Sequence, residues 1–232
     1  MRFTIRCLNT GSSGNCYILS DESGEILILD AGVKSKDIKQ ALNFNFSNVS
    51  GVLITHSHRD HSLSADDLEK YGLNVWKPYL IEGGRDRRTF GSYAVQSFDL
   101  PHDDCPCCGF FIRHKIGFKM LYLTDCELCR YVFAKQEVNA ILCECNYQGK
   151  YVNLNASNAK HKLLGHMSLD ACKGFIEANK TDKLHSVVIC HMSDLTCDTA
   201  ECVEEIEQIV PDGVVVDYAE RGKEIVIYEA EN

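Results

Sequence analysis

Apolar and polar residues alternate over Met1-Arg2-Phe3-Thr4-Ile5-Arg6 with the period of two expected of a half-buried strand, and short apolar runs follow at 16–19 and 26–29. Strands are predicted over residues 3–8, 15–19 and 26–30, with Gly11-Ser12-Ser13-Gly14 as the first turn. The pattern then changes to helical spacing, with Ile38, Ala41 and Leu42 on one face of a helix over 35–42. Gly51-Val52-Leu53-Ile54 is a short apolar run of strand type, and Ser64 followed by Asp67 predicts a helix N-cap before Leu68. Further strands are predicted over 92–98, 109–113, 118–124 and 140–145. Ser168 is expected to cap a helix running to 178, and Asp198-Thr199-Ala200-Glu201 reads as a capping box. Residues 214–217 and 224–228 are expected to finish a second sheet.

This succession fits an α/β (α+β) architecture, a four-layer αβ/βα sandwich of two mixed sheets face to face with helices outside. At 232 residues and 45% apolar composition, the chain can bury one full core, so residues 1–232 are expected to form one domain. No internal repeat, low-complexity tract or membrane-spanning apolar stretch interrupts it. The opening Met1-Arg2-Phe3-Thr4-Ile5-Arg6 alternates like a strand and lacks the apolar core of a signal peptide. Thirteen cysteines, an odd number, cannot all pair within the chain, and a reducing cytoplasm is the expected compartment.

The chemistry is concentrated in Thr55-His56-Ser57-His58-Arg59-Asp60-His61, directly after the apolar run at 51–54. His56 and His58 are alternate residues of an extended segment and can converge on one ion, whereas Asp60 and His61 lie past the bend and can reach a second. Imidazole with carboxylate selects borderline divalent ions such as Zn2+, with Mn2+ or iron as further options. A merely solvated histidine-rich loop is the bland alternative, and a cluster this dense at a strand end argues against it.

This spacing resembles the signature of the metallo-β-lactamase-fold hydrolases, and other landmarks follow in order along most of the chain. They are Asp30-Ala31-Gly32, His102 after Leu100-Pro101, Asp125 after Leu121-Tyr122-Leu123-Thr124, Gly165-His166-Met167-Ser168, and His191-Met192-Ser193. The resemblance implies that His56, His58 and His102 hold one metal and Asp60, His61 and His191 the other, with Asp125 bridging them and Asp30 bracing the histidine loop. Gly11-Ser12-Ser13-Gly14-Asn15, His102-Asp103-Asp104 with Gly109-Phe110, and Glu144-Cys145-Asn146-Tyr147 further resemble the YycJ/WalJ-type group, which includes bacterial and phage-borne proteins and is allied to RNase Z. In that group the histidine of Gly-His-x-Ser is not a ligand, which makes His166 the candidate general acid. His102 and Asp125 are only 23 positions apart, and Asp125 and Asn155 only 30. Neither interval has room for the RNase Z exosite arm or a β-CASP insertion.

The expected activity is that of a dinuclear metal-dependent phosphodiesterase or nuclease acting on DNA or RNA. Two cations sharing a water would generate hydroxide near neutral pH, Asp60 or Asp125 would orient it, and His166 would protonate the leaving oxygen. The alternatives are a thioesterase or lactonase of the glyoxalase II branch, a small-nucleotide phosphodiesterase, or an anti-defence protein that sequesters a nucleotide. A net charge of −9 provides no overall basic field, so a nucleic acid would rely on local groups such as Arg85, Arg87 and Arg88, Arg113 with Lys115 and Lys119, or Lys160 with Lys162. Cys105, Cys107 and Cys108, with Cys126, Cys129, Cys143 and Cys145, are a candidate structural zinc or redox cluster, set against the plainer reading of packed thiols. His114, His161 and His185 are assigned no role. The sequence leaves the oligomeric state open.

Overall fold

A computed structural model describes residues 1–103, 105–153, 155–157 and 159–230. Asp104 and the side chain of His161 lie outside the described residues. The strands are β1 (Arg2–Asn9), β2 (Cys16–Asp21), β3 (Ile26–Leu29), β4 (Val49–Leu53), β5 (Val75–Trp76), β6 (Arg87–Phe90), β7 (Tyr93–Leu100), β8 (Cys107–His114), β9 (Lys119–Leu123), β10 (Ala140–Glu144), β11 (Ser186–Cys190), β12 (Val215–Tyr218) and β13 (Glu224–Glu229). The helices are α1 (Ser35–Ala41), α2 (Arg59–Ser62), α3 (Ala65–Lys70), α4 (Ala159–Gly165), α5 (Leu169–Asn179) and α6 (Thr199–Glu207).

One sheet has the order β13-β1-β2-β3-β4-β5 and the other β12-β11-β10-β9-β8-β7-β6. Both are mixed: β3-β4-β5 and β9-β10-β11-β12 run parallel, and the remaining neighbours antiparallel. Strand periodicity sorts the side chains into three apolar layers. Leu27, Leu29, Met120, Tyr122, Val188 and Cys190 fill the space between the sheets. Ile28 and Val52 pack outward against Ile38 of α1 and Leu68 of α3. Leu121, Leu123, Val187 and Ile189 pack against Phe175 and Ile176 of α5 and Ile206 of α6. Three apolar interfaces separate four layers, the αβ/βα sandwich expected from the sequence.

The structure corrects three local expectations. Residues 224–228 do not finish the second sheet, because β13 pairs antiparallel with β1 and extends the first. Gly222, at positive φ, lies in the turn that carries the chain across. Ser64 occupies an N-cap position, but its hydroxyl donates to the Val33 carbonyl instead of accepting from its own helix. The capping box at α6 is half made: Asp198 accepts from the Glu201 amide, whereas the Glu201 carboxylate is taken by Lys150 and the Asp198 amide by Gln148. Ser168 caps α5 as expected, accepting from the Ala171 amide.

Candidate metal centre

Asp30, His56, Asp125, Glu144 and His191 each lie within three residues of the C-terminal end of β3, β4, β9, β10 or β11, and His102 follows β7. All the proposed ligands therefore meet at one end of the sandwich. At three of these strand ends the chain turns through left-handed backbone, with φ of 57° at Asp30, 49° at Asp125 and 52° at His191. Non-glycine residues rarely adopt that conformation, and it is held where the surroundings over-determine it.

The histidine loop is locked to the start of the chain through backbone. The Asn15 amide donates to the Asp60 carbonyl (2.6 Å), the Ala31 amide to the His61 carbonyl (2.8 Å) and the Gly32 amide to the Asn15 carbonyl (2.8 Å). A Cβ on Gly32 would fall 1.6 Å from the Asp60 carbonyl oxygen, so only glycine fits there. Asp30 braces His61 as expected: Oδ2 accepts from His61 Nδ1 (2.8 Å) and from the Tyr122 hydroxyl (2.5 Å), and Oδ1 accepts from the Thr55 amide (2.8 Å).

The structure brings the expected residues into two sets that share Asp125. In each set, one ligand atom per residue lies within 4.8 Å of all the others: His56, His58, His102 and Asp125 in one, Asp60, His61, Asp125 and His191 in the other. Asp125 faces both, with Oδ2 3.8 Å from His56 Nε2 and Oδ1 3.3 Å from each of His61 Nε2 and His191 Nε2. His102 donates from Nδ1 to the Gly165 carbonyl (2.7 Å), which turns Nε2 into the first set, 3.1 Å from His58 Nδ1. His56 Nε2 and His191 Nε2 are buried and make no hydrogen bond. Buried nitrogens without hydrogen bonds, converging with carboxylates, fit two divalent cations.

The electrostatics follow from this crowding. Burial and neighbouring imidazoles hold His56 well below the usual histidine range, and burial lowers His102. Burial also opposes charge on His61 and His191, but Asp125 outweighs it, together with Asp30 for His61 and with Asp60 and Glu144 for His191. His61 is pushed up to about 10, and His191 well above the usual range. Burial would raise Asp125, yet His191, His61 and His56 hold its carboxyl well below the usual range.

Sequence reasoning gave Glu144 no role, and the structure places it at the centre of the support. Its fully buried Oε1 lies 2.8 Å from His166 Nδ1 and 3.2 Å from His191 Nδ1. Its Oε2 accepts from the amides of Cys126 (3.1 Å) and Met167 (3.2 Å). The signal available was an acid at the end of an apolar strand, the position that Asp30 also takes. Asn15 and Asn146, whose directions the sequence left open, both face the cluster: Asn15 Nδ2 lies 2.9 Å from His61 Nε2, and Asn146 Nδ2 donates to the His191 carbonyl (2.7 Å). Lys162 Nζ joins this network through Asn146 Oδ1, Ser193 Oγ and Thr196 Oγ1.

Among the candidate basic groups, Lys162 reaches the centre, whereas Arg113, Lys115 and Lys119 lie at the opposite end of β8 and β9, beside a surface cavity of about 590 Å³. Arg85 is engaged by Asp99. Among the described residues no three of the thiols at 105–108 and 126–129 form a metal-holding group: Cys107 packs in one apolar cluster with Cys126 and turns to His56 Nδ1 (3.9 Å), and the next residue, Cys108, turns to the Gly84 carbonyl (3.4 Å) on the other face of the strand. His114 is buried beside Asp21.

Comparison with known proteins agrees with this geometry. The sequence model of the Metallo-beta-lactamase superfamily matches residues 9–98, which include the histidine loop. Exodeoxyribonuclease YycJ of Bacillus anthracis is 27% identical over 221 residues, covering 80% of this chain and 81% of that protein. Exodeoxyribonuclease WalJ of Streptococcus pneumoniae is 26% identical over 217 residues, covering 79% and 80%. The metallo-β-lactamase-fold protein YhfI of Bacillus subtilis superposes with a TM-score of 0.69 at 13% identity, covering 97% of this chain and all of that one. The chain therefore has the metallo-β-lactamase fold, carries that superfamily's sequence pattern over residues 9–98, and is similar in sequence to YycJ and WalJ over four-fifths of its length.

Proposed function

We propose that the protein is a metal-dependent nuclease that hydrolyses phosphodiester bonds in DNA. His56, His58, His102 and Asp125 would hold one divalent ion and Asp60, His61, Asp125 and His191 the other, with Zn2+ as the first candidate for this nitrogen and oxygen donor set. Bound there, two such ions supply Lewis acidity and lower the pKa of a shared water.

The observation that carries the reading is the Glu144–His166 pair beside these sets. The His166 ring stacks on His191 with centroids 5.1 Å apart, and its side chain is 13% exposed, while that of Asp60 is 25% exposed and those of His56, His61, Asp125 and His191 are at most 3%. His58 is half-buried as well, so a substrate would meet the cluster from the side of His58, Asp60 and His166. Glu144 fixes the ring through Nδ1, so Nε2 is the atom that would deliver a proton. A departing alkoxide of a phosphodiester needs such an acid, whereas the thiolate of a thioester leaves without one.

Single-stranded DNA fits the surroundings. A groove of about 630 Å³ is lined by Thr10, Ser12, Ser13, Met192 and Ser193, with Arg221 as its cation and Asp194 and Glu220 as its acids. On the other side of Ser12 and Ser13, Arg59 lines a smaller depression next to Asp60. DNA is preferred over RNA because the relatives that span four-fifths of the chain are named exodeoxyribonucleases. The interval between His102 and Asp125 is taken up by β8 and β9, so the substrate would be gripped by a single domain over 1–232 without an exosite arm. No helix among the described residues is long and apolar enough to cross a membrane, and we place the protein in the cytoplasm, where DNA is available.

The test is elemental analysis of the purified protein paired with hydrolysis of single- and double-stranded DNA, RNA, bis-p-nitrophenyl phosphate and an acyl thioester, with Asp60→Ala as control. Two ions per chain with DNA hydrolysis lost in Asp60→Ala is the expected result. Thioester turnover without phosphodiester turnover would overturn the substrate assignment, and failure to bind metal would overturn the metal-dependent enzyme.

A further inference from the structure

Three thiols that the metal centre does not use converge on the helix side of the second sheet. Cys145 follows β10, Cys197 lies in the loop after β11, and Cys202 sits in α6. The three sulfurs all lie within 4.8 Å of one another, and those of Cys197 and Cys202 are 3.2 Å apart. Cys145 and Cys202 are buried among Cys172 and Ile206, and Cys197 is half-buried, which leaves a route in from solvent. No sequence spacing advertised this set, because its members are 52 and 5 positions apart and only the fold unites them.

Two plainer readings fit less well. Buried thiols often serve as small apolar fillers, but filler has no reason to bring three sulfurs from three elements to one point. A disulfide would pair two of them, exclude Cys145 and require an oxidant. Contact with Cys145 and burial, outweighing contact with Cys202, push Cys197 up to about 12, which makes it a poor nucleophile for exchange. A tetrahedral zinc with bonds of about 2.3 Å places its sulfurs about 3.8 Å apart, the scale of the separations here.

We propose that Cys145, Cys197 and Cys202 form a thiolate site for one soft divalent cation of the zinc class, separate from the histidine–aspartate centre. Each thiol that coordinates gives up its proton, so uptake of one ion by three thiols releases three protons. The ion would tie the residue after Glu144, and the loop that carries Ser193 and Thr196 to Lys162, onto α6. Its role is to hold in place the two strand ends that present Glu144 and His191.

The donors of the histidine–aspartate centre are nitrogen and oxygen, so a sulfur-to-cobalt charge-transfer band reports the thiol site alone. Metal-stripped protein is titrated with Co2+ under reducing conditions and its near-ultraviolet absorption followed, with zinc content measured in parallel. The expected band saturates at one ion per chain, persists in Asp60→Ala and in Cys107→Ser, and disappears in Cys197→Ser. That variant also loses one zinc per chain and unfolds at a lower temperature than the wild-type chain. Cys202→Ser serves as a second, buried substitution. Absence of the band in the wild-type chain, or its survival in both serine variants, overturns the proposal whether or not the protein is a nuclease.

Discussion

Glu144 Oε1 lies 2.8 Å from His166 Nδ1 and also within 3.2 Å of His191 Nδ1, so one buried carboxylate orients both a candidate ligand and the candidate acid. His166→Ala is expected to slow DNA hydrolysis about 10²–10⁴-fold, the usual contribution of a general acid. The loss on bis-p-nitrophenyl phosphate should be far smaller, because nitrophenolate leaves without a proton. Parallel kcat measurements on the two substrates check this, and equal losses on both would remove His166 from the role of acid.

Asp30 accepts from His61, Tyr122 and Thr55 in a fully buried position. Asp30→Ala leaves these donors without a partner and is expected to cost on the order of 3–5 kcal/mol of stability. Metal affinity should fall about 10–100-fold, as when the partner of a ligating imidazole is removed. Tyr122→Phe removes one donor and should cost about 1 kcal/mol. Urea unfolding and competition with a chelating dye measure the two effects.

The pH dependence of stability should reverse sign with metal. In the metal-free chain His61 is raised to about 10 and His191 well above its ordinary value. The stability these groups contribute is fully present below the unfolded value of about 6.5 and is lost as pH rises toward the folded one. His56 and His102, lowered in the fold, are neutral in both states above that pH and add no slope. The metal-free protein should therefore lose stability from about pH 6.5 up to about pH 10, the raised value of His61, whereas the loaded protein gains stability from about pH 5 to 8, because protons compete with the ions for the same nitrogens. Thermal melts with and without chelator across this range provide the check.

Gly32→Ala should be more disruptive than its size suggests. The added methyl would meet the Asp60 carbonyl oxygen, a backbone atom already fixed by Asn15. Loss of one ion per chain together with a lower unfolding midpoint is the expected outcome, read by elemental analysis and calorimetry.

Much of this was legible in the sequence because the signals were periodic or dense. Leu27, Ile28 and Leu29 alternate between two apolar layers as their spacing requires, and the histidine loop placed four donors within six positions. The ligand sets needed the family resemblance, since His102, Asp125 and His191 are isolated in sequence. What stayed hidden depends on partners remote along the chain. Glu144 looks like any strand-end acid until His166, 22 positions later, folds against it. The strand at Glu224–Glu229 has the same alternation whichever sheet receives it, and only its pairing with β1 decides. Cys145, Cys197 and Cys202 are scattered among thirteen cysteines, and the tighter grouping at 105–108 drew attention to residues that the strand sends to opposite faces.

The backbone contacts of Asn15, Ala31 and Gly32 with Asp60 and His61 join the first turn of the chain to the histidine loop before any side chain is considered. Four of the seven candidate donors come from the loop after β4 in the first sheet, and the other three follow β7, β9 and β11 in the second, so the two sheets must pack face to face to bring the set together. The position of His61 relative to Asn15 and Ala31 is thus set by main-chain hydrogen bonds and does not depend on an ion to draw the loop into place.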